Sequence, residues 1–306
     1  MKDSKYCKVI EKEQKVIKHS RKLGIVQEYF RSTPEVEILK ILNSANFPVP
    51  KVLESNNHYF IEEYINGDLL DSLYKDYESM CKNDIDSITD NIIKTININY
   101  CDLKKYIPWN NVSEFFEYQI ANTQNVWLEY KDKYYDLYNL LGIDESIISN
   151  LVKFSKKINF DRPLCLIHGD RHKNNMIKKD NVIYFIDWEL GCVGDLAYDI
   201  AFHIHQMKYN EDDLEYFLLN LCNKLPNEYK SVIKDIKYYL CFITARSVIY
   251  YVKILNDCKY SDELLDKFYI RLKKLCDYDI LGLNLINKED VRKKLLDKEI
   301  IKKGRW

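Results

Sequence analysis

The stretch from Leu164 to Asp187 reads LCLIHGDRHKNNMIKKDNVIYFID. Its first apolar run ends abruptly at His168, and a second apolar run at 182–186 ends at Asp187. A polar turn at 179–180 precedes the second run. This pattern predicts an antiparallel hairpin in which position 178 faces about 181 and position 175 faces about 185.

The open end of this hairpin is expected to gather side chains that carry oxygen atoms. Asn175 and Asp187 would meet there, beside Asp170. Oxygen ligands of this kind suit a hard divalent cation, and a further carboxylate beside them can orient a nucleophile. The pattern therefore indicates phosphoryl transfer. The alternative is that Asp170 and Asn175 are ordinary turn residues, since Asp and Asn are favoured in turns.

Length and composition limit the class of protein. A chain of 306 residues can bury a large core and divide into two lobes. The 46 Lys and Arg residues nearly balance the 47 Asp and Glu residues, so no overall field favours a nucleic acid or an acidic membrane surface. The nine cysteines include no CxxC pair, which argues against a disulfide framework or a zinc site.

The chain is expected to be soluble and cytoplasmic. Its N-terminal segment is charged and lacks the apolar region of a signal peptide. No uninterrupted apolar run is long enough to span a bilayer. We therefore expect neither a membrane nor a nucleic acid as a partner.

The first part of the chain has the alternating pattern of β-strands. The expected strands are 6–10, 15–19, 47–53 and 58–64. A polar turn at 11–14 joins the first two strands. A helix is expected to begin at Pro34, because proline suits a first helical turn and acidic residues follow it.

From Leu69 onward apolar residues recur at the three- and four-residue spacing of helices, with an interruption at 164–187. The expected helices are 85–101, 112–130, 145–158, 196–208, 211–223, 229–256, 262–276 and 288–302. A small, strand-rich N-lobe at 1–66 would thus precede a large helical C-lobe at 67–306, with a hinge near 63–66. This organisation predicts an α+β fold.

This layout and these residues resemble the aminoglycoside phosphotransferase family, a branch of the protein-kinase-like fold that also includes choline and ethanolamine kinases. The catalytic-loop pattern of the family, HxDxxxxN, is met by His168, Asp170 and Asn175. Its metal-binding aspartate at the end of the next strand is met by Asp187. Its downstream GDxxxDxA pattern is met at 194–201.

The resemblance implies a role for each of these residues. Asp170 would accept a hydrogen bond from the substrate hydroxyl and serve as its base. Asn175 and Asp187 would hold Mg²⁺ on the phosphates of a nucleotide, either ATP or GTP. His168 would brace the loop by hydrogen bonding. Within the GDxxxDxA pattern, Asp195 and Asp199 flank a helix start, so capping or bracing is expected of them.

In the N-lobe, Lys18 matches the strand lysine that pairs with nucleotide phosphates, and Glu35 is its expected ion-pair partner. Glu37, on a different face, is the weaker choice. Two other interpretations remain open: Ser32 and Glu35 form a capping-box pattern, and a lysine on an amphipathic strand is often simply solvated.

The resemblance also implies that a hinge offers backbone groups to the nucleobase. In this chain the hinge maps to Glu63, Tyr64 and Ile65. Because backbone contacts serve either purine, this part of the pattern does not separate ATP from GTP.

Two departures from the family pattern are visible. No glycine precedes Lys18, so the loop over the phosphates would have to be the polar turn 11–14, which has no evident left-handed position, and the N-lobe would be shortened. Arg171 stands where the family usually has an apolar residue. It would either reach substrate or phosphate, or pair with an acid on the surface.

The sequence leaves the acceptor open. Some of the 25 tyrosines could line an aromatic pocket for a cation such as choline, although most are expected to be core residues. Acidic residues at 211–215, with Asp257, Asp262 and Glu263, could bind a polycation or be solvated helix starts.

These observations predict an enzyme that transfers the γ-phosphate of a nucleotide, with Mg²⁺, to a hydroxyl of a small molecule. An aminoglycoside-type antibiotic is the first expectation, which would make the protein a resistance enzyme; choline, ethanolamine or another small alcohol is the alternative. A different class is a catalytically silent, kinase-like nucleotide-binding module, suggested by the missing phosphate loop. The presence of Asp170, Asn175 and Asp187 together argues against it.

Overall fold

The computed structural model describes residues 7–10, 13–19, 33–140, 143–257, 261–277, 288–290 and 292–293. The strands are β1 (Cys7–Ile10), β2 (Lys15–His19), β3 (Val52–Ser55), β4 (Tyr59–Glu63), β5 (Asp68–Leu69), β6 (Cys165–Ile167), β7 (Met176–Lys179), β8 (Val182–Phe185) and β9 (Cys192–Gly194). The α-helices are α1 (Glu35–Ser44), α2 (Leu70–Leu73), α3 (Lys82–Ile96), α4 (Val112–Tyr130), α5 (Tyr135–Leu140), α6 (Ser146–Ser155), α7 (Leu196–Met207), α8 (Glu211–Lys224), α9 (Val232–Asp257) and α10 (Asp262–Asp277).

This architecture confirms the predicted α+β class, and most predicted elements occur within a few residues of their expected bounds. The strand Lys15–His19 and the helix Val112–Tyr130 have the predicted bounds. The helix expected at 85–101 was placed too late, since α3 spans Lys82–Ile96. A 3₁₀ turn begins at Cys101, and the Asn99 side chain accepts a hydrogen bond from the backbone N–H of Cys101. Most of the helix expected at 288–302 lies outside the described residues.

The chain divides into two compact units. The first comprises Met1–Phe115 with Asn159–Ile236, and the second comprises Phe116–Ile158 with Lys237–Trp306. All the candidate site residues belong to the first unit. The predicted lobe boundary near residue 66 falls inside that unit and stays a prediction. None of the described helices is long and apolar enough to cross a bilayer.

The second unit has a core of aromatic side chains. The Phe116 ring packs edge-on against Tyr239, with 5.3 Å between ring centroids, and lies 5.5 Å from the Phe242 ring. The Tyr138 hydroxyl donates a hydrogen bond of 2.9 Å to the carbonyl of Ile249, which satisfies a polar group inside this core. These aromatic residues therefore serve packing.

In the first unit, an antiparallel sheet with strand order β1-β2-β4-β3 positions Lys18. Lys18 lies opposite Phe60, and Val16 lies opposite Glu62. Residues directly opposite each other, and residues two apart, share one face of a sheet. These four side chains therefore lie on the same face.

The turn between β1 and β2 lies at the hinge end of this sheet. Lys15 pairs with Glu63, and the Gln14 carbonyl accepts a hydrogen bond of 2.9 Å from the Tyr64 N–H. Gln14 has φ +53°, so the turn does have a left-handed residue, contrary to the sequence expectation. Lys18 is four residues beyond Gln14, about 13 Å away along the strand. The described end of this turn thus lies beside the hinge, and its role over phosphates held by Lys18 stays a prediction.

The predicted hairpin forms with a different register. Its turn is Asp180–Asn181, both at positive φ (50° and 62°), and Lys178 pairs with Ile183 instead of position 181. Two-residue turns of this kind require positive φ at both positions, which Asp and Asn tolerate, so the strands are shifted from the predicted pairing. The Asn175 carbonyl then accepts the N–H of Ile186, which still brings Asn175 next to the residue that precedes Asp187.

Arg162 makes buried ion pairs with two aspartates of the first unit, Asp195 before α7 and Asp235 in the first turn of α9. Its guanidinium donates to both carboxylate oxygens of Asp195 at 2.8 and 2.6 Å, and to Asp235 at 2.6 Å. Asp195 also accepts a hydrogen bond from the backbone N–H of Ala197 and so caps α7, as expected. The three charged side chains are at most 4% exposed in these pairs.

We expect Arg162→Met to destabilise the protein by about 3–5 kcal/mol, because it leaves two buried carboxylates without their cation. Chemical denaturation measures the loss. The matched control is Lys40→Met, which breaks the exposed Lys40–Glu37 pair and should change little. Equal stability of the Arg162 variant and the control would contradict a structural role for this ion-pair cluster.

Candidate active site

The loop after β6 turns at Gly169, where only glycine fits. Gly169 has φ +76°, and a Cβ atom there would lie 2.4 Å from the carbonyl oxygen of Leu190. Its N–H donates a hydrogen bond of 2.8 Å to the Asp199 carboxylate. The turn is therefore held from two sides, just before Asp170.

His168 braces this loop. Its ring lies 4.5 Å from the Trp188 ring, Nδ1 accepts the Asp170 N–H at 3.3 Å, and Nε2 is 3.0 Å from the carbonyl oxygen of Ile186. Burial, together with the charge of Arg171, lowers the pKa of His168 to about 4. The ring is therefore neutral near pH 7, with Nδ1 as acceptor and Nε2–H as donor to Ile186, which ties the loop to the end of β8.

Asp170 and Asn175 are in direct contact. Asn175 Nδ2 donates to the backbone carbonyl of Asp170 at 2.9 Å and to its carboxylate at 3.2 Å. The Asp170 side chain is 25% exposed and its carboxylate lies 3.4 Å from His172 Nε2, so a ligand can reach it. Among the described residues, none donates a hydrogen bond to Asn175 Oδ1. This oxygen is left for another partner.

Asp187 has an unusual backbone conformation, with φ +62° and ψ +61°. Aspartate tolerates the left-handed region better than most residues, and non-glycine residues held there cluster at functional sites. The Asp187 carboxylate is 32% exposed and lies 3.3 Å from Lys18 Nζ. Asp187 directly follows Ile186, the backbone partner of Asn175.

The donor chemistry at this end of the hairpin fits a small hard cation. Asn175 Oδ1 and the Asp187 carboxylate are oxygen ligands, the type that Mg²⁺ prefers, and Mg²⁺ commonly takes one or two protein ligands with phosphate and water oxygens completing the shell. Within the part of the chain that the structure describes, no group of three or more His, Cys, Asp or Glu side chains is placed to hold a metal ion. The arrangement therefore suits a cation that arrives with its own ligands.

Lys18 is surrounded by carboxylates. Its Nζ lies 2.6 Å from Glu35, 3.3 Å from Asp187 and 3.4 Å from Glu62. Burial alone would lower the pKa of Lys18, but the three carboxylates outweigh it and hold that pKa well above its usual value. Lys18 is therefore a buried cation and not a solvated surface lysine.

Glu35 is the ion-pair partner of Lys18, and it also accepts the N–H of Trp188 at 3.0 Å. It thereby connects β2, α1 and the residue after Asp187. The capping alternative is tested only in part, because Ser32 lies outside the described residues. Glu37, the weaker choice, pairs instead with Lys40 on the surface at 3.0 Å.

Arg171 pairs with an acid, as one of the two alternatives expected, but it does so fully buried and not on the surface. Its guanidinium donates to Asp199 at 2.9 Å and lies 4.8 Å from the Phe185 ring centroid. Asp199 therefore accepts hydrogen bonds from both Arg171 and the Gly169 N–H. Burial would raise the pKa of Asp199, but the charge of Arg171 holds that pKa below its usual range. Arg171 stabilises the loop from inside and does not reach a substrate.

Three isoleucines form an apolar cluster beside the hinge. Ile65, Ile177 and Ile186 are each at most 5% exposed, with Leu69 and Tyr184 packed against them. The N–H of Ile65 makes no hydrogen bond to any described residue. An apolar surface next to an unused backbone donor is a suitable place for a flat heteroaromatic ring.

Sequence reasoning missed the isoleucine cluster and Glu62. A glutamate in an alternating strand is usually interpreted as solvated, and the signal that could have placed it was its spacing of two residues from Phe60, the residue opposite Lys18.

A separate cleft of about 990 Å³ in the first unit is lined by residues such as Asp86, Asn91 and Asn181. Its lining includes none of the candidate site residues except Glu63.

Comparisons with known proteins agree with this geometry. One curated relative, the LicA homolog of Metamycoplasma hominis, is 31% identical over 179 residues, 58% of this chain and 62% of the relative. The chain thus matches less than two thirds of the length of that relative.

Solved structures show the same fold at low identity. An ethanolamine kinase of Plasmodium vivax has a TM-score of 0.61 and 20% identity, covering 86% of this chain and 76% of that one. The choline kinase LicA of Streptococcus pneumoniae has a TM-score of 0.57 and 16% identity, with 86% of each chain covered. The aminoglycoside phosphotransferase APH(2'')-Ib has a TM-score of 0.53 and 17% identity, covering 87% of this chain and 86% of that one.

The sequence profile of the phosphotransferase enzyme family, APH, matches residues 26–223, which is more than half of the chain and includes the catalytic-loop pattern, Asp187 and the GDxxxDxA pattern. The chain belongs to this phosphotransferase family.

Proposed function

We propose that the protein transfers the γ-phosphate of a purine nucleoside triphosphate, with Mg²⁺, to the hydroxyl of a small amino alcohol such as choline or ethanolamine. The observation that carries the proposal is the connected set of Lys18, Glu35, Asp170, Asn175 and Asp187. In this proposal they supply what phosphoryl transfer requires: a cation for phosphate, ligands for a metal and a carboxylate for the hydroxyl.

Two residues suit a role as metal ligands. Asn175 Oδ1 and the Asp187 carboxylate would hold Mg²⁺, which when bound neutralises charge on the phosphates. Lys18 is fixed by Glu35 and placed beside Asp187, so its ammonium group can contact the same phosphates. The apolar isoleucine cluster and the unused N–H of Ile65 support the hinge as the place of the nucleobase.

Asp170 is the proposed base. Its carboxylate is partly exposed, and Asn175 orients it through the hydrogen bonds to Asp170 Oδ2 and carbonyl oxygen. An acceptor hydroxyl would donate a hydrogen bond to this carboxylate and lose its proton to it as the hydroxyl oxygen bonds the γ-phosphorus. The bond from the γ-phosphorus to the bridging oxygen of the β-phosphate breaks in the same transfer, and the nucleoside diphosphate leaves. Most of the catalytic effect then comes from positioning and charge neutralisation, since the transition state needs little covalent help.

A small amino alcohol is favoured as acceptor over the aminoglycosides first expected from the sequence. The similarity to a LicA homolog is one of sequence, at 31% identity, whereas the likeness to the aminoglycoside phosphotransferase is one of fold at 17%. Two of the acids considered for a polycation already have other partners: Asp213 accepts the Met80 N–H at 2.8 Å, and Glu263 pairs with Lys267. The Asp257 side chain lies outside the described residues.

We expect Asp187→Ala to abolish Mg²⁺-dependent turnover, because it removes the only carboxylate proposed as a metal ligand. The measurement is release of nucleoside diphosphate at several Mg²⁺ concentrations, with Mg²⁺-dependent nucleotide binding as a second readout. Asp161→Ala, which removes an exposed carboxylate elsewhere in the first unit, is the control. Near-normal turnover in Asp187→Ala would reject the metal assignment.

We expect Asp170→Asn to lower kcat by roughly 10²–10⁴-fold, because the amide keeps an oxygen for Asn175 but is not a base. Nucleotide affinity, measured by calorimetry, should stay within about threefold, since a lost base contributes little to ground-state binding. A loss of nucleotide binding as large as the loss in kcat would show that Asp170 acts in binding or folding instead.

We expect phosphorylation of choline or ethanolamine in a coupled assay that also includes aminoglycosides, other hydroxylated antibiotics and sugars. Turnover of aminoglycosides alone would replace the amino-alcohol proposal with the antibiotic one. If no acceptor is phosphorylated and no triphosphate shifts the melting temperature with or without Mg²⁺, the protein is not a kinase.

A further inference from the structure

Glu62 is a buried carboxylate that the proposed function does not yet use. It lies in β4, is 1% exposed, and neither of its side-chain oxygens accepts a hydrogen bond from a described residue. Its nearest charged neighbour is Lys18, at 3.4 Å. The two charges attract at this distance, but the alignment gives neither Glu62 oxygen a well-directed hydrogen bond.

Lys18 compensates for this burial only in part, since it lowers the pKa of Glu62 less than burial raises it. The same ammonium group makes a shorter contact of 2.6 Å with Glu35 and one of 3.3 Å with Asp187, so one cation faces three carboxylates. A buried charge without hydrogen-bond donors is costly, and burial raises the pKa of Glu62 to about 7. Glu62 therefore needs a donor that the described residues do not supply.

The position of Glu62 indicates which ligand could supply the donor. Glu62 shares a sheet face with Lys18, the proposed phosphate contact, and immediately precedes the hinge Glu63–Ile65, the proposed nucleobase contact. A side chain between these two groups would lie at the inner end of the proposed nucleotide site. The purine ring is the part of a nucleotide that carries an N–H donor toward a hinge.

We propose that Glu62 accepts a hydrogen bond from the 6-amino group of adenine and thereby selects ATP over GTP. This inference rests on the proposed function and adds the nucleobase specificity that hinge backbone contacts leave open. An ionised carboxylate only accepts hydrogen bonds. Guanine presents a carbonyl oxygen at the same ring position, so it offers Glu62 no donor and places two acceptors against each other.

Calorimetric titration of the full chain with Mg²⁺ and three triphosphates at pH 8 tests the inference: ATP, GTP and purine riboside triphosphate, which has hydrogen in place of the 6-amino group. We expect ATP to bind at least about tenfold more tightly than either of the others, the size expected for a hydrogen bond to a buried charge.

Glu62→Gln should shift the ratio of ATP affinity to GTP affinity toward GTP by about tenfold or more, because an amide donates a hydrogen bond to the guanine oxygen. Glu62→Met introduces an apolar side chain of similar size and should bring the affinities for ATP and GTP to within about threefold of each other. It also provides a second test if Glu62→Gln does not fold. Thermal unfolding followed by circular dichroism checks both folds. The matched control is Glu54→Gln, an exposed carboxylate of the same sheet that bonds the Tyr59 hydroxyl, and it should leave the ratio unchanged.

Equal binding of ATP and purine riboside triphosphate by the unmodified protein would overturn the inference. So would an equal loss of affinity for all three triphosphates in both Glu62 variants, since that result means that Glu62 only positions Lys18. These results leave the proposed function standing. Failure of the unmodified protein to bind any triphosphate would overturn the proposed function and this inference with it.

Discussion

The contact on which the site depends is the buried ammonium group of Lys18 among three carboxylates. Glu35 comes from α1, Glu62 from β4, and Asp187 from the residues that follow β8, so one cation fixes three separate elements of the first unit. The cluster carries more negative than positive charge in a place with little water, which makes it receptive to further positive charge. Under the proposed function that charge is the cation that accompanies a nucleotide. The same imbalance explains why Lys18 stays protonated although it is buried.

A second set of buried charges holds the catalytic loop at a fixed place relative to this cluster. Asp199 on α7 takes the Gly169 N–H and the Arg171 guanidinium, and His168 ties the loop to Ile186. Removal of one partner from such a network leaves the others unpaired at low dielectric, so the parts are interdependent. Within the GDxxxDxA pattern, Asp199 therefore acts by positioning the loop that carries Asp170, whereas Asp195 pairs with Arg162 and caps α7.

The sequence predicts the parts of this molecule that depend on local pattern. Periodicity alone placed Lys15–His19 and Val112–Tyr130, and the spacing of polar residues after the apolar runs grouped Asn175 with Asp187. The sequence pattern did not predict features that depend on contacts between residues distant in the chain. The hairpin register was set by positive φ at two turn residues. The roles of Arg171 and Glu62 follow from burial against residues far away in the chain, which periodicity does not encode.

The position of the turn between β1 and β2 bears on how phosphates would be held in the proposed site. Because Gln14 bonds the Tyr64 N–H, this turn stabilises the hinge end of the sheet, several residues away from Lys18 along β2. Under the proposed function, the phosphate contacts among the described residues come from side chains: the Lys18 ammonium group, and Asn175 and Asp187 through the metal ion that they would hold. Charge at these positions, more than a backbone loop, then has to hold the triphosphate in line with the hydroxyl at Asp170. In that arrangement the strength of phosphate binding follows the Glu35–Lys18 pair, since a lysine that lost this partner would be free to turn away from the phosphates.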